Sequence, residues 1–276
     1  MARTPHSRVR PPRGILHVGL LWDPDVCGYF RRRPAAAATD LVILPELFDG
    51  GYALLRRGGG RHAADGALPR ALRALTRERP VTLVAGSIAL RGGSGKPTNT
   101  VLVFRSGRLL ARYDKIHLFR PAGDTRFFRA GSRPVRFRLN AGGKSVTAGL
   151  AVCFDLRFPE LFRALAVRGV RLFLVPARWP AARDDAWRTL LKARAIENQA
   201  FVVGCNARGR EGGWSYVFSP RGELLYTDRG RRKAALARVA LDLGEPERAA
   251  RLFRTIPEAV LLRRTRRVRR RSAGAR

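Results

Sequence analysis

The sequence predicts an α/β fold built on a mixed sheet. Short runs rich in aliphatic and β-branched residues recur along the chain, amphipathic helical stretches separate several of them, and Gly- and Pro-containing turns join others as hairpins. Residues 14–21 and 40–45 read as buried strands, as do 81–90 and 99–104. Ser106-Gly107 turns the last of these back into a strand at 108–113. Further strands are predicted at 146–152, 172–176, 201–205 and 214–218; the turn at Pro220-Arg221-Gly222 leads into 223–226, and 235–241 is the final strand. Among the helices, 68–79 is Arg-rich on one face and Leu/Ala-rich on the other. The helix at 159–168 opens on Pro159 and is followed by Gly169, the asymmetry that helix ends favour. At 182–199, Trp187, Leu190, Leu191, Ala195 and Ile196 recur at helical spacing, so that helix should bury one face. Pro24, Gly28 and Pro34 leave little room for a long amphipathic helix between the first two strands.

The 276 residues, 45% of them hydrophobic, suit one large domain or two small ones, and no low-complexity linker divides them. The reading is one folded domain at 14–261 between a basic, proline-containing segment at 1–13 and an Arg-rich tail at 262–276, both expected to be disordered. Segment 1–13 has no apolar core and is not a secretory signal. The longest apolar runs, such as 172–176, are far too short to span a bilayer, so a soluble protein without membrane association is expected. Three cysteines, Cys27, Cys153 and Cys205, show no paired spacing. They suggest neither a disulfide framework nor a zinc site, and an odd thiol count fits a reducing, cytoplasmic setting. The four histidines lack metal-ligand spacing, and no metal or cofactor is expected; His117 reads as a supporting residue.

The formal net charge is +34. A basic excess can mark a nucleic-acid binder, but here it is spread along the chain, which fits a general preference for arginine better than a dedicated module. Only five of the 55 basic residues are lysines, so Lys115, at the end of a predicted strand, stands out. An amine can exchange a proton in a tuned site, whereas arginine stays charged.

Three segments carry chemistry. In 149–159 (GLAVCFDLRFP) an apolar strand brings Cys153 to its end, and a Pro-started helix follows at once. This sets a nucleophile at a sheet rim beside free backbone N–H groups. Residues 41–46 end in a carboxylate, Glu46, and 109–115 end in the amine of Lys115. A thiol, a carboxylate and an amine suffice for acyl chemistry without a catalytic histidine.

Glu46 in LPELFDGGY, Lys115 in YDKIHLF and Cys153 in VCFDLRFPELFR resemble, in order and spacing, the Glu-Lys-Cys triad of the nitrilase (carbon-nitrogen hydrolase) superfamily, over about residues 14–258. The resemblance implies a four-layer α-β-β-α sandwich and at least a homodimer joined through the outer helices. It also implies the roles: Cys153 attacks an amide carbon and forms a thioester, Glu46 carries the proton, and Lys115 with the Phe154 N–H holds the oxyanion. The family's second acidic position falls on Asp124, where most relatives have glutamate.

Residues 117–124 (HLFRPAGD), 153–159, 178–183 (RWPAAR) and 194–199 (RAIENQ) are similar to the omega-amidase branch. That implies a small anionic amide as substrate, the ω-amide of a 2-oxo acid such as 2-oxoglutaramate. Arg157 and Arg194 are read as pocket or scaffold residues, with scaffold favoured, and Trp179 as either a pocket wall or core packing. Two segments are shorter than in relatives, 23–39 and 208–213, which allows a reshaped pocket or a catalytically weakened copy. The alternatives are another carbon–nitrogen hydrolase (a nitrilase, or an amidase of carbamoyl amines or deaminated glutathione), or a protein that binds nucleic acid through 263–271. The Arg-rich tail is expected to bind nucleic acid weakly and without sequence preference.

Overall fold

The computed structural model describes residues 14–33, 39–93, 95–230 and 234–257. The basic segments predicted at 1–13 and 262–276 lie outside the described residues.

Thirteen described strands form two sheets. The first holds β1 (Ile15–Leu21), β2 (Leu41–Ile43), β3 (Arg61–His62), β4 (Thr82–Leu90), β5 (Thr98–Arg105), β6 (Arg108–Asp114) and β13 (Leu236–Asp242), ordered β13-β1-β2-β4-β5-β6 with β3 beside β4. The second holds β7 (Arg136–Ala141), β8 (Lys144–Leu150), β9 (Leu172–Ala177), β10 (Phe201–Asn206), β11 (Tyr216–Phe218) and β12 (Leu224–Thr227) in sequence order. Both repeat one pattern: a parallel trio (β1-β2-β4 and β8-β9-β10), one antiparallel strand on one side and two on the other.

The period-2 alternation of strands decides which side chains enter which layer. Leu41, Ile43, Val84, Val101 and Val103 join the core between the sheets with Leu139, Val146, Ala148 and Leu150. Their neighbours Val42, Leu83, Ala85, Leu102 and Phe104 face the other way. They meet Val26, Tyr29 and Phe30 of α1 (Val26–Arg32) and Leu72 and Leu75 of α3 (Ala67–Glu78). Beyond the second sheet, Phe162 and Leu165 of α5 (Pro159–Ala166) and Trp187 and Leu191 of α6 (Asp184–Asn198) complete the opposite layer. The result is the α-β-β-α sandwich. Shorter helices are α2 (Gly51–Arg56), α4 (Asp124–Phe127) and α7 (Glu245–Phe253).

Between β1 and β2 the chain holds only a short helix, α1, whose N-cap Asp25 directly follows Pro24. The Asp25 carboxylate accepts the Gly28 N–H at 2.9 Å, and a Cβ at Gly28 would overlap that carboxylate, so glycine is what lets the cap close. On α6, Trp187, Leu191 and Ala195 are buried but Ile196 is 45% exposed, since the face turned to the sheet is narrower than the apolar stripe. Strand β7 was not expected; its alternation is Arg-Phe-Arg-Leu, and arginines on its outward positions masked it. Among the described residues, no helix is long and apolar enough to cross a membrane.

Candidate active site

The candidate residues sit just beyond the C-terminal ends of strands: Glu46 after β2, Lys115 after β6, Cys153 after β8 and Arg178 after β9. Chain reversals there expose functional groups at one rim. Cys153 lies in the left-handed region (φ +47°) and opens a 3₁₀ turn, Cys153–Arg157, that runs into Pro159 and α5. A left-handed backbone is costly for any residue with a Cβ, so the surroundings must hold it. Asp155, fully buried, does so. One carboxylate oxygen accepts the Val152 N–H (2.8 Å) and the Tyr113 hydroxyl (2.6 Å); the other accepts the backbone N–H of His117 (2.9 Å) and pairs with its Nδ1 (2.8 Å). The His117 ring stacks flat on Phe158, 3.6 Å between centroids, which places it as a brace for this elbow.

The Lys115 side chain is wholly buried. Its Nζ donates to Glu46 Oε1 at 2.9 Å and to Asp124 Oδ2 at 2.8 Å. Glu46 also accepts from Asn99 Nδ2 (2.8 Å) and, through Oε2, from the Arg178 N–H (3.0 Å). Asp124 accepts from the Tyr52 hydroxyl (2.5 Å) and the Phe119 N–H (2.9 Å). Aspartate at this position therefore reaches the amine, because α4 begins at Asp124 and carries its backbone inward.

Burial alone would lower the Lys115 amine. The Glu46 carboxylate above all, with Asp124 adding to it, holds it well above the ordinary lysine range instead, so it is a cation throughout neutral pH. Burial pushes the Cys153 thiol up, Glu46 adds to this, and Lys115 only partly opposes them. At neutral pH the thiol therefore rests protonated, beside the carboxylate that can take its proton.

A cavity of about 240 Å³ opens over these groups, lined by Tyr52, Lys115, Phe119, Cys153 and Arg178 and, at its mouth, by the exposed Arg56 and Arg183 with Glu211. An adjoining niche is walled by Phe154, Arg157 and Trp179. Trp179 lines the niche and packs 5.3 Å from Trp187, with its indole N–H on the Arg183 carbonyl. Arg194 is scaffold, buried and donating to the Leu156 carbonyl at 3.0 and 3.2 Å. The Arg157 guanidinium lies over the Trp179 ring and lines the niche, on the pocket side of its two readings. The Phe154 N–H has no acceptor among the described residues.

Sequence reasoning missed Tyr52, Asn99, Asp155, Arg178 and Glu211. Tyr52 and Asp155 stand inside motifs already quoted and carried a signal; Asn99 and Glu211 did not, since the first is brought by strand register and the second by a loop. The short segment 208–213 is a compact turn, tied by Gly213 N–H to the Ala207 carbonyl (2.9 Å) and by the Ala181 N–H to the Gly212 carbonyl (3.0 Å), and it puts Glu211 at the cavity mouth. No group of three or more potential metal ligands occurs among the described residues.

Residues 29–251 match the family model described as carbon-nitrogen hydrolase. The 2-oxoglutaramate amidase of Bacillus subtilis (strain 168) is 35% identical over 217 residues, 75% of this chain and 80% of that protein. The omega-amidase YafV of Escherichia coli (strain K12) is 36% identical over 222 residues, covering 77% and 83%. Among solved structures, Saccharomyces cerevisiae Nit3, a member of branch 10 of the nitrilase superfamily, superposes with a TM-score of 0.76 over 87% of this chain and 94% of that one. At 23% identity it speaks for the fold alone.

Proposed function

This chain belongs to the carbon-nitrogen hydrolase family, on its omega-amidase side, and is an amide-hydrolysing enzyme; from that premise we propose that it cleaves the ω-amide of a small 2-oxo acid, 2-oxoglutaramate or a near analogue, to the carboxylate and ammonia through a thioester on Cys153. The observation that carries the reading is the buried Glu46-Lys115-Asp124 cluster beside Cys153, at the floor of a cavity with guanidinium groups at its mouth.

In this reading the Cys153 sulfur attacks the amide carbon as Glu46 removes the thiol proton. The oxyanion that forms is met by Lys115 Nζ and the Phe154 N–H. An ammonium has three donors and Lys115 uses two on carboxylates, so the third remains for the substrate. A donor of this kind contributes roughly 3–4 kcal/mol to the transition state. Glu46 passes its proton to the nitrogen, the C–N bond breaks and ammonia leaves. Glu46 then deprotonates the water that opens the thioester, and the thiol is restored. Lys115 stays positive throughout, held by its two carboxylates.

The far end of the substrate is read from the arginines. Arg56 is paired with Glu211 at 2.9 Å. The guanidinium groups of Arg157 and Arg183 rest only on the Trp179 and Phe119 rings and meet no hydrogen-bond acceptor among the described residues. In this reading they receive the carboxylate of an anionic amide in forked hydrogen bonds. The names of the two bacterial relatives support the same substrate class.

The test is ammonia release from a panel of 2-oxoglutaramate, 2-oxosuccinamate, glutamine, asparagine, a carbamoyl amine and simple nitriles. The 2-oxo amides should give the highest kcat/KM. A nitrile or a carbamoyl amine in first place would overturn the substrate and leave the triad standing. We further propose a cytoplasmic homodimer, supported by the exposed Ile196, Leu252 and Phe253 on the outer helices α6 and α7.

A further inference from the structure

We infer that Arg178 is a positioning residue for the reaction, a guanidinium fork that fixes Glu46 over Cys153. The inference rests on the reading of Glu46 as the proton carrier.

Arg178 touches the triad three times. Its backbone N–H donates to Glu46 Oε2 at 3.0 Å, and its backbone carbonyl lies 3.8 Å from Cys153 Sγ. Its side chain reaches back across to the segment that bears Glu46: Nε donates to the Glu46 carbonyl at 2.8 Å and Nη2 to the Leu47 carbonyl at 2.7 Å. Two parallel donors on two successive carbonyls is a geometry that a planar guanidinium can supply and an ammonium cannot. The segment it grips needs gripping. Leu47 sits in the left-handed region (φ +45°), and such a backbone persists only when its surroundings over-determine it. The other supports are the Ser87 hydroxyl, which accepts the Leu47 N–H at 3.0 Å, and the Gly51 N–H on the Leu47 carbonyl at 2.9 Å.

The surroundings are shaped to admit the fork. A Cβ at Gly51 would lie 2.6 Å from the Arg178 guanidinium carbon, so the group lies directly over bare backbone. Nη1 faces Glu211 at 3.5 Å, from the compact 208–213 turn. The donors of Arg178 are thus engaged with the protein, and it is Arg157 and Arg183 that are left for a substrate. Strands β2 and β9 lie in different sheets, and the fork joins their ends where the proton must pass from Cys153 to Glu46.

The experiment measures kcat, KM and the thermal midpoint of Arg178→Lys and Arg178→Gln on the best 2-oxo amide, with Glu46→Gln in parallel. Displacing a reacting group by about 1 Å costs on the order of a hundredfold in rate. Both Arg178 variants should lose between about tenfold and a hundredfold in kcat with KM little changed. Lysine should rescue no better than glutamine. Near-normal kcat in Arg178→Lys would overturn the inference. So would a raised KM with kcat intact, which would put Arg178 on the substrate, or a fall in thermal midpoint large enough to account for the lost turnover. If Glu46→Gln itself turns over normally, the reading of Glu46 has failed; if only that variant is inactive, the fork alone has failed.

Discussion

At the scale of the residue, the chemistry depends on which charge each buried group holds. Cys153 should carry the acyl group, so intact-mass spectrometry under substrate should show an adduct on the wild type and none on Cys153→Ala; unchanged turnover in that variant would end the mechanism. Lys115→Arg keeps the charge but puts a larger, planar group where a compact ammonium is held between Glu46 and Asp124, and kcat/KM should fall severely. A pH effect follows from the thiols. Burial raises Cys153 and Cys205 well above the ordinary thiol range, so between the unfolded and folded values the native state binds more protons. Stability is therefore kept below the unfolded thiol value, near pH 8.5–9, and declines as pH rises past it. Urea midpoints measured from pH 7 to 10 should fall in the upper range, less steeply in Cys205→Ala than in the wild type. A flat profile would contradict the thiol burial.

At the scale of the element, the decisive piece is the elbow between β8 and α5. The positive φ of Cys153 is held by Asp155 and by the stacked His117–Phe158 pair, which leave the backbone little freedom. Cys153→Gly should accordingly fold at least as stably as Cys153→Ala, by about 0.5–1 kcal/mol in a urea titration, although glycine costs stability at most positions. Alanine clearly ahead would mean that the elbow relaxes once the sulfur is gone. Helix α1 illustrates how a short element fits where composition leaves little room for a long one. Pro24 and Gly28 look like breakers, but one lies before the cap and the other makes room for it.

At the scale of the whole molecule, the charge and the outer faces are open to test. Residues 262–276 contain eight arginines and no acid. We propose that they are dispensable for catalysis and bind polyanions through clustered charge. Deleting 263–276 should leave kcat/KM on the best amide nearly unchanged while weakening retention on a heparin column and flattening its salt dependence. A large loss of activity would show that the tail docks on the enzyme. For the assembly, light scattering should give twice the chain mass, and Leu252→Lys with Phe253→Lys should shift it toward the single-chain mass if α7 contributes to the contact.

The α/β class, the strands from β1 through β13 apart from β3 and β7, and the order Glu46, Lys115, Cys153 are legible in the chain itself. They rest on local signals: period-2 alternation, turn residues at fixed offsets, and a polar group just after an apolar run. Those signals end where contacts between distant residues begin. Asn99 meets Glu46 across 53 positions, Arg178 meets it across 132, and Glu211 meets Arg56 across 155. Arg178 stands in a stretch, 178–183, that carries the family resemblance, but nothing beside any of the three says which residue it will meet, because strand register and sheet-on-sheet packing choose the pairs. The protonated state of Cys153 and the permanent charge of Lys115 belong to the same class. Each is set by burial and by carboxylates from other elements, so tertiary structure alone could decide them.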